Sequence, residues 1–364
     1  MKRVVAITLA LVLAFALCAC GKTAAAPAAA PAAAPAAAPA AAPAAAPAEA
    51  AAPAAPAAEP VVLRLAFSEA PESQTAQVIA GIKERVEART EGRVILEPHY
   101  SNELGSINDC IEQISLGGNI VSSTSASSWA PYGCADMLAM DCMFAFASTD
   151  EIATFATSDM WAKMVAELEA NGGIHMICMN WAAAPRVIMS NKPINSVADL
   201  KGFMVRVPTE TYAAWFNALG AAPVSGIPFA EVYTNIESSV IEGAEAPFAS
   251  LKDYSIQEVA KYCFTSNHTY AAACFGTSTQ IWGLISPEDQ AVITEEFIEG
   301  GKEFTALCAA TNEQFMQEFK DAGVTIVVPT AEDVATMQAA AVQAAKDLKC
   351  RDGVMDEIKA ASTK

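Results

Sequence analysis

From residue 61 onward the sequence predicts an α/β fold, and three patterns carry the prediction. Short β-branched runs alternate with longer segments whose apolar residues recur every three or four positions. Capping sequences stand where those longer segments begin, and glycines stand where several of them end. The strand and helix signals interleave along the chain instead of separating into blocks, which points to mixed connections.

The first strand is Val61-Val62-Leu63-Arg64-Leu65-Ala66-Phe67. Val78, Ile82 and Val86 mark one face of a helix that starts near Pro71 and stops at Gly92, and Arg93–Glu97 follows as a strand. Ser106-x-x-Asp109 has capping-box form and opens a helix carrying Ile107, Ile111 and Ile114, closed by Gly117-Gly118. Ser148-x-x-Glu151 opens another, with a strand at Ile174–Cys178 after it. Strands near Val187–Met189 and Phe203–Val207 precede helices around 210–219 and 230–241. Ser286-Pro287-Glu288-Asp289 supplies a cap, a first-turn proline and two acids that favour the positive end of a long helix. Val324–Val328 and 331–349 give a last strand and helix.

The 364 residues carry 22 Lys plus Arg against 41 Asp plus Glu, and 53% are hydrophobic. A mean hydropathy of +0.28 suggests a membrane protein only because it averages unlike parts. Lys2 and Arg3 precede an apolar run from Val4 to Ala19, shorter than the roughly 20 residues of a spanning helix. The run closes on Leu17-Cys18-Ala19-Cys20-Gly21, which resembles the lipobox of bacterial lipoproteins. It implies a signal peptide over 1–19 and lipidation of Cys20. Residues 23–60 are almost pure Ala and Pro, with proline at every fourth position from Pro27 to Pro47. Each proline removes a donor and drives its predecessor out of the α region, so 20–60 reads as a tether. At ~3.1 Å per residue it would reach on the order of 100 Å.

Setting 1–60 aside leaves 304 residues with 19 basic and 39 acidic groups, a net charge of −20. That length suffices for two modest cores, and that charge argues against a nucleic-acid partner. There is no HExxH, no close pair among His99, His175 and His268, no GxGxxG, no P-loop and no GxSxG. No metal, cofactor or catalytic constellation is expected, so the chain does not read as an enzyme. Cys110, Cys134, Cys142, Cys178, Cys263, Cys274, Cys308 and Cys350 show no CxxC. They fit either small buried hydrophobes or, in an exported chain, disulfides.

Seven arginines remain: Arg64, Arg85, Arg89, Arg93, Arg186, Arg206 and Arg351. Arg85 and Arg89 fall on a polar helix face. In Phe203-Met204-Val205-Arg206-Val207-Pro208 the apolar residues alternate, so Arg206 faces the other side of its strand, at the carboxyl end. Ligands of open α/β sheets bind at that edge. A guanidinium there can grip a carboxylate through two parallel hydrogen bonds or pair with a neighbouring acid.

The stretch Pro193–Pro208 resembles the central signature of TRAP transporter substrate-binding proteins of the DctP type. Leu219-Gly220-Ala221-Ala222-Pro223, Ile227-Pro228-Phe229-Ala230-Glu231-Val232-Tyr233 and Ile241-Glu242-Gly243-Ala244-Glu245-Ala246-Pro247 continue it. Asn102–Gly105, Glu112–Gly117 and Asn267-His268 also fit, so the similarity spans about residues 62–350. The resemblance implies a two-lobed periplasmic-binding-protein-like (Venus flytrap) fold with crossing strands and a long lobe-spanning helix. Lobe I would be 61–183 plus about 271–311, and lobe II 184–270 plus about 312–364.

The resemblance also implies an extracytoplasmic receptor that hands an organic acid to the small and large membrane subunits of an ion-gradient-driven transporter. Arg206 would be the carboxylate clamp, Arg186 the second arginine, and Phe229 an aromatic wall for the ligand. Glu69 and Ser125 fall at positions that touch ligand in some relatives, with a solvated loop carboxylate as the other reading of Glu69; Trp129 and Trp181 lie in loops near the cleft, as core or rim packing or as stacking platforms. Ala246 stands where the family usually has a ligand-bonding Asn, and Ala244 replaces a Gln, so a polar contact is missing. C4-dicarboxylates, keto acids, sugar acids and aromatic acids all remain open as ligands. The competing functions are a receptor feeding a sensor kinase or an ABC-type permease, and a surface enzyme acting on carboxylated substrates.

Overall fold

A computed structural model describes residues 59–363; the signal peptide, Cys20 and most of the tether lie outside the described residues. Strands β1 (Val61–Ala66), β2 (Val94–His99), β3 (Val121–Ser125) and β4 (Ile174–Ala182) come first, then β5 (Val187–Ser190) and β6 (Met204–Arg206). The others are β7 (Ala222–Val224), β8 (Gly243–Ala246), β9 (Tyr262–Phe264), β10 (Ala272–Ser278) and β11 (Thr325–Val327). One sheet has the order β2-β1-β3-β10-β4 and a second has the order β11-β9-β5-β8-β6-β7. Both are mixed: β1 runs parallel to β2 and β3, whereas β10 is antiparallel to β3 and β4. The two sheets and their helices make the two lobes of a periplasmic-binding-protein fold.

The chain passes between the lobes at 183–186, from β4 to β5, and returns at 265–271, from β9 to β10. The two crossings are bonded to each other, since Ala183 N donates to Ala271 O at 2.9 Å and Arg186 N to Thr269 O at 3.2 Å. A third connection is the helix Pro287–Asp321, whose 35 residues rise about 52 Å at ~1.5 Å each. Ser286 caps it by accepting from Asp289 N at 3.1 Å. Ile293 and Phe297 enter the core of the first lobe, and Phe319 enters that of the second.

Arg85 and Arg89, expected on a polar helix face, clasp this helix: Arg85 Nε donates to Glu296 at 2.5 Å and Arg89 Nη1 at 2.8 Å. Lys252 pairs with Glu318 near its far end. Among the described residues no helix is long and apolar enough to cross a membrane.

Three elements differ from the sequence expectation. The helix after Ser148 is two helices, Thr149–Phe155 and Asp159–Gly172, because Ser158 starts a second cap by accepting from Trp161 N at 3.2 Å. The helix expected around 230–241 is only Val232–Glu237. The helix Val354–Ser362 was not anticipated, and residues 312–364 do not stay with the second lobe throughout. Val354 and Ile358 join Ile152, Phe155 and Leu168 in a first-lobe core, and Lys359 pairs with Glu151. The chain therefore leaves the second-lobe helix Ala331–Asp347, capped by a Thr330–Asp333 box, and re-enters the first lobe through 348–353.

Candidate ligand-binding site

Arg206 ends β6. Phe203, Val205 and Val207 are buried at 1% exposure or less, while Arg206 on the alternate face is half-buried. Its Nε donates to Ile227 O at 2.9 Å, and its guanidinium carbon lies 5.2 Å from the centroid of the Phe229 ring. The backbone carbonyl and the aromatic face fix the plane of the guanidinium and leave its two terminal nitrogens without a hydrogen-bond partner among the described residues. Burial pushes its pKa down and nearby Arg186 does the same, while Glu245 pulls it up.

Arg186 lies on the crossing just ahead of β5 and is already engaged. Its Nε and Nη2 donate to the Glu245 carboxylate at 2.5 and 2.8 Å, and Nη2 also reaches the Glu245 carbonyl at 3.1 Å. Glu245 is fully buried on β8, and His268 donates Nε2–H to it at 3.2 Å while accepting from Ser266 Oγ at Nδ1, 2.8 Å. This tautomer follows from the partners: the carboxylate can only accept, so Nε2 holds the proton.

Burial pushes the His268 pKa down more than Glu245 restores it, so the imidazole is neutral. Burial also pushes Glu245 up, but the Arg186 charge and hydrogen bonds, with help from His268, hold it below the ordinary carboxylate range. Tyr212 closes this group, its ring 5.1 Å from the Arg186 guanidinium carbon and edge-on to His268. Trp215 stacks on His268 at 4.8 Å.

Across the cleft, Glu69 is half-buried, and among the described residues only Ser68 donates to its carboxylate, at 3.1 Å. It borders a cavity of about 280 Å³ with Ser68, Thr75, Ser123, Thr124 and Ser125. It also borders a second cavity of about 360 Å³ that reaches Pro247, Ser250 and Asp253 of the other lobe and Cys308, Thr311 and Asn312 of the long helix. Neither cavity includes Arg206 or Arg186. Ser125 stands at the N-cap position of the short helix Ala126–Trp129 without a capping bond, its hydroxyl meeting Ser127 Oγ at 3.3 Å, and Asp141 accepts from Ser127 N at 2.8 Å. Burial raises the Asp141 pKa, although bonds from Ser127 and Ser125 oppose it.

Three of the expected site residues are enclosed. Trp129 is 0% exposed beneath Gly276 of β10, where an added Cβ would lie 2.8 Å from its ring, so it is core. Trp181 is 1% exposed, donates Nε1–H to Phe297 O at 2.9 Å and packs against Phe275 and Phe304, and it also borders the cavity that Glu69 and Ser125 line. Ala246 pairs with Val187 in register, and both side chains enter the core that holds Phe248 and Leu251. Its methyl points away from the face that carries Glu245, because neighbouring residues of a strand alternate.

Glu245, His268, Tyr212 and Asp141 were not singled out in sequence. A carboxylate inside the buried run Gly243–Ala246 is the one local signal that could have drawn attention, since a buried acid needs a partner.

Residues 66–350 match the model of the bacterial extracellular solute-binding protein family 7, DctP. The C4-dicarboxylate-binding periplasmic protein DctP of Rhodobacter capsulatus is 25% identical over 266 residues, 73% of this chain and 79% of that protein. The 2,3-diketo-L-gulonate-binding periplasmic protein YiaO of Escherichia coli is 27% identical over 267 residues, 72% of this chain and 80% of the relative.

Among solved structures, a TRAP periplasmic solute-binding protein from Ochrobacterium anthropi with bound L-fuconate superposes with a TM-score of 0.72. It is 26% identical and covers 84% of this chain and all of its own (100%). An apo open TRAP protein from Escherichia fergusonii superposes at 0.76 with 19% identity, covering 82% of this chain and 99% of its own. The chain belongs to the DctP family and is a TRAP transporter substrate-binding protein.

Proposed function

We propose that this chain is the extracytoplasmic receptor of a TRAP transporter whose cargo is a hydroxylated monocarboxylate. One observation carries the reading: of the two arginines at this sheet edge, Arg186 is neutralised by Glu245, and Arg206 keeps two oriented N–H directions without a partner among the described residues. A single uncompensated guanidinium suits a single carboxylate, and the bidentate geometry favours a planar one. Ser68, Thr75, Ser123, Thr124 and Ser125 offer hydroxyl donors and acceptors on the opposite lobe, and Glu69 offers an acceptor for ligand hydroxyls. Two of the relatives support this class by their names, the 2,3-diketo-L-gulonate-binding protein and the L-fuconate complex, whereas the Rhodobacter capsulatus protein is named for C4-dicarboxylates.

In this reading Phe229 packs against the ligand, and Arg186 holds the Arg206 side of the site in shape. Lobe I comprises 61–183, about 271–311 and the C-terminal helix, and lobe II comprises 184–270 and 312–347. Ligand spans the cleft, and its contacts to both lobes favour the closed form, because only differential affinity shifts such an equilibrium. The small and large membrane subunits would receive that closed form. Cys20, lipidated after removal of 1–19, would hold the receptor at the outer face of the membrane through the 20–60 tether.

A thermal-shift panel of sugar acids, keto acids, C4-dicarboxylates and aromatic acids tests the reading, since binding to the native state raises its apparent stability. Hydroxylated monocarboxylates should raise Tm, and the same compounds with the carboxylate reduced to an alcohol should not. An equal shift from the alcohols would overturn it.

A further inference from the structure

Two residues of the first lobe are packed into the core of the second. Met137, Ala139 and Met140 lie in the first-lobe core, and so do Ala145 and Phe146, the latter edge-on to Phe155 at 5.4 Å between ring centroids. Between them Met143, 1% exposed, and Phe144 join Phe203, Tyr212 and Trp215 of the second lobe. The excursion is a tight turn: Ala145 N donates to Cys142 O at 3.1 Å, which puts Met143 and Phe144 at the tip. Phe144 has a φ of +60°, the left-handed backbone that the third residue of a type II turn takes and that glycine fills at least cost. A bulky residue keeps that conformation only where its surroundings fix it.

What fixes it belongs to the second lobe and to the return crossing. Phe144 N donates to His268 O at 2.8 Å, and its ring centroid lies 6.3 Å from that of Trp215, which stacks on His268. The His268 imidazole donates to Glu245, and the next residue, Thr269, accepts from Arg186 N at 3.2 Å. At the other end of the turn Asp141 accepts from Ser127 N at 2.8 Å, and Ser127 Oγ meets Ser125 Oγ on the wall of the cavity that Glu69 borders. Only Cys142 and Met143 separate the bond to the first-lobe wall from the bond to the crossing.

We propose that the Met143–Phe144 tip is a pivot pin between the lobes, and that Phe144 is a positioning residue for the cleft. The crossings at 183–186 and 265–271 and the long helix are continuous chain, and a few residues of such connections suffice to absorb a hinge motion. The pin is a packed, non-covalent contact that seats the first lobe against the crossing at His268. With the pin in place the lobes rotate about His268, and Arg186 meets the Ser125 wall in one register. Without it the same connections allow a wider range of separations. The pin acts whichever acid the cleft takes.

The test uses the full-length protein without ligand. Nitroxides attached to p-acetylphenylalanine at Ala88 of the first lobe and Ala335 of the second, both exposed, leave the native cysteines untouched. Pulsed electron–electron double resonance should give a narrow distance distribution with Phe144 intact. Phe144→Gly keeps the left-handed backbone and removes the ring, and it should broaden that distribution about twofold. Phe144→Tyr keeps the ring and should retain the original width. A purely structural role would lower Tm and leave the width alone. An unchanged width in Phe144→Gly, equal broadening in Phe144→Tyr, or a distribution already as broad with Phe144 intact would each overturn the proposal. Met143→Ala empties the other half of the tip and serves if the glycine variant fails to fold; it should broaden the distribution, and an unchanged width there overturns the proposal equally.

Discussion

Glu245, which is completely enclosed, takes three hydrogen bonds from Arg186: two on its carboxylate at 2.5 and 2.8 Å and one on its backbone carbonyl at 3.1 Å. The pair removes the charge of the arginine nearest the crossing strands, and His268 completes it without adding charge. What remains on this edge is Arg206, held by Ile227 O and the Phe229 face.

Removing the acid from this pair should therefore cost stability first and affinity second. Glu245→Ala strands a mostly buried guanidinium, and breaking a buried pair from one side typically costs about 3–5 kcal/mol. Urea unfolding should show that loss in the midpoint at unchanged slope. A loss below about 1 kcal/mol would mean the pair is solvent-compensated.

The pH dependence has a definite sign. Burial holds the pKa values of His268 and His175 below the free value, so each binds its proton more readily when unfolded. Their contribution is complete above the unfolded value of about 6.5 and is lost as pH falls toward the folded values. Glu245, also depressed, adds a second loss below its unfolded value of about 4.3. The urea midpoint should decline from pH 7 to 5, and His268→Gln with His175→Gln should flatten that slope. A midpoint that rises on acidification contradicts the assignment.

Gly243 in β8 has no room for a methyl group, because a Cβ would lie 2.0 Å from Met189 O of the paired strand. Backbone cannot yield as a side-chain tip can, so Gly243→Ala should destabilise by about 3 kcal/mol or more. Calorimetry would read this as a large drop in Tm, and a drop under two degrees would show that the β5–β8 ladder shifts freely.

Trp181, a core residue by its burial and its bond to Phe297 O, should behave as one. Trp181→Ala should cost about 3–5 kcal/mol. Trp181→Phe should lose stability while leaving ligand affinity unchanged in isothermal titration. A selective loss of affinity with stability intact would return Trp181 to the binding surface.

Periodicity and caps made much of the fold legible. Ser106, Ser148 and Ser286 each start the helix that their spacing predicts. Arg206 was legible for the same reason: Phe203, Val205 and Val207 fix the face on which it cannot lie. Glu245 and His268 were not, because their roles come from strand pairing and a crossing that joins residues 23 positions apart. Trp129 and Trp181, which the sequence leaves between core packing and a stacking platform, are both enclosed, because the core needs their volume. The helix Val354–Ser362 carries helical spacing in Val354, Ile358 and Ser362, but its choice of lobe depends on Glu151, Asp136 and Ile152, about 200 residues earlier.

Isothermal titration of the best ligand from the acid panel into Arg206→Ala and Arg206→Lys is the most direct test of the central claim. With both variants folded by circular dichroism, the alanine variant should show no heat of binding at concentrations that saturate the wild type. The lysine variant, which keeps the charge without the planar fork, should lose about 1.5–3 kcal/mol of binding free energy. Wild-type affinity in Arg206→Ala would contradict the account.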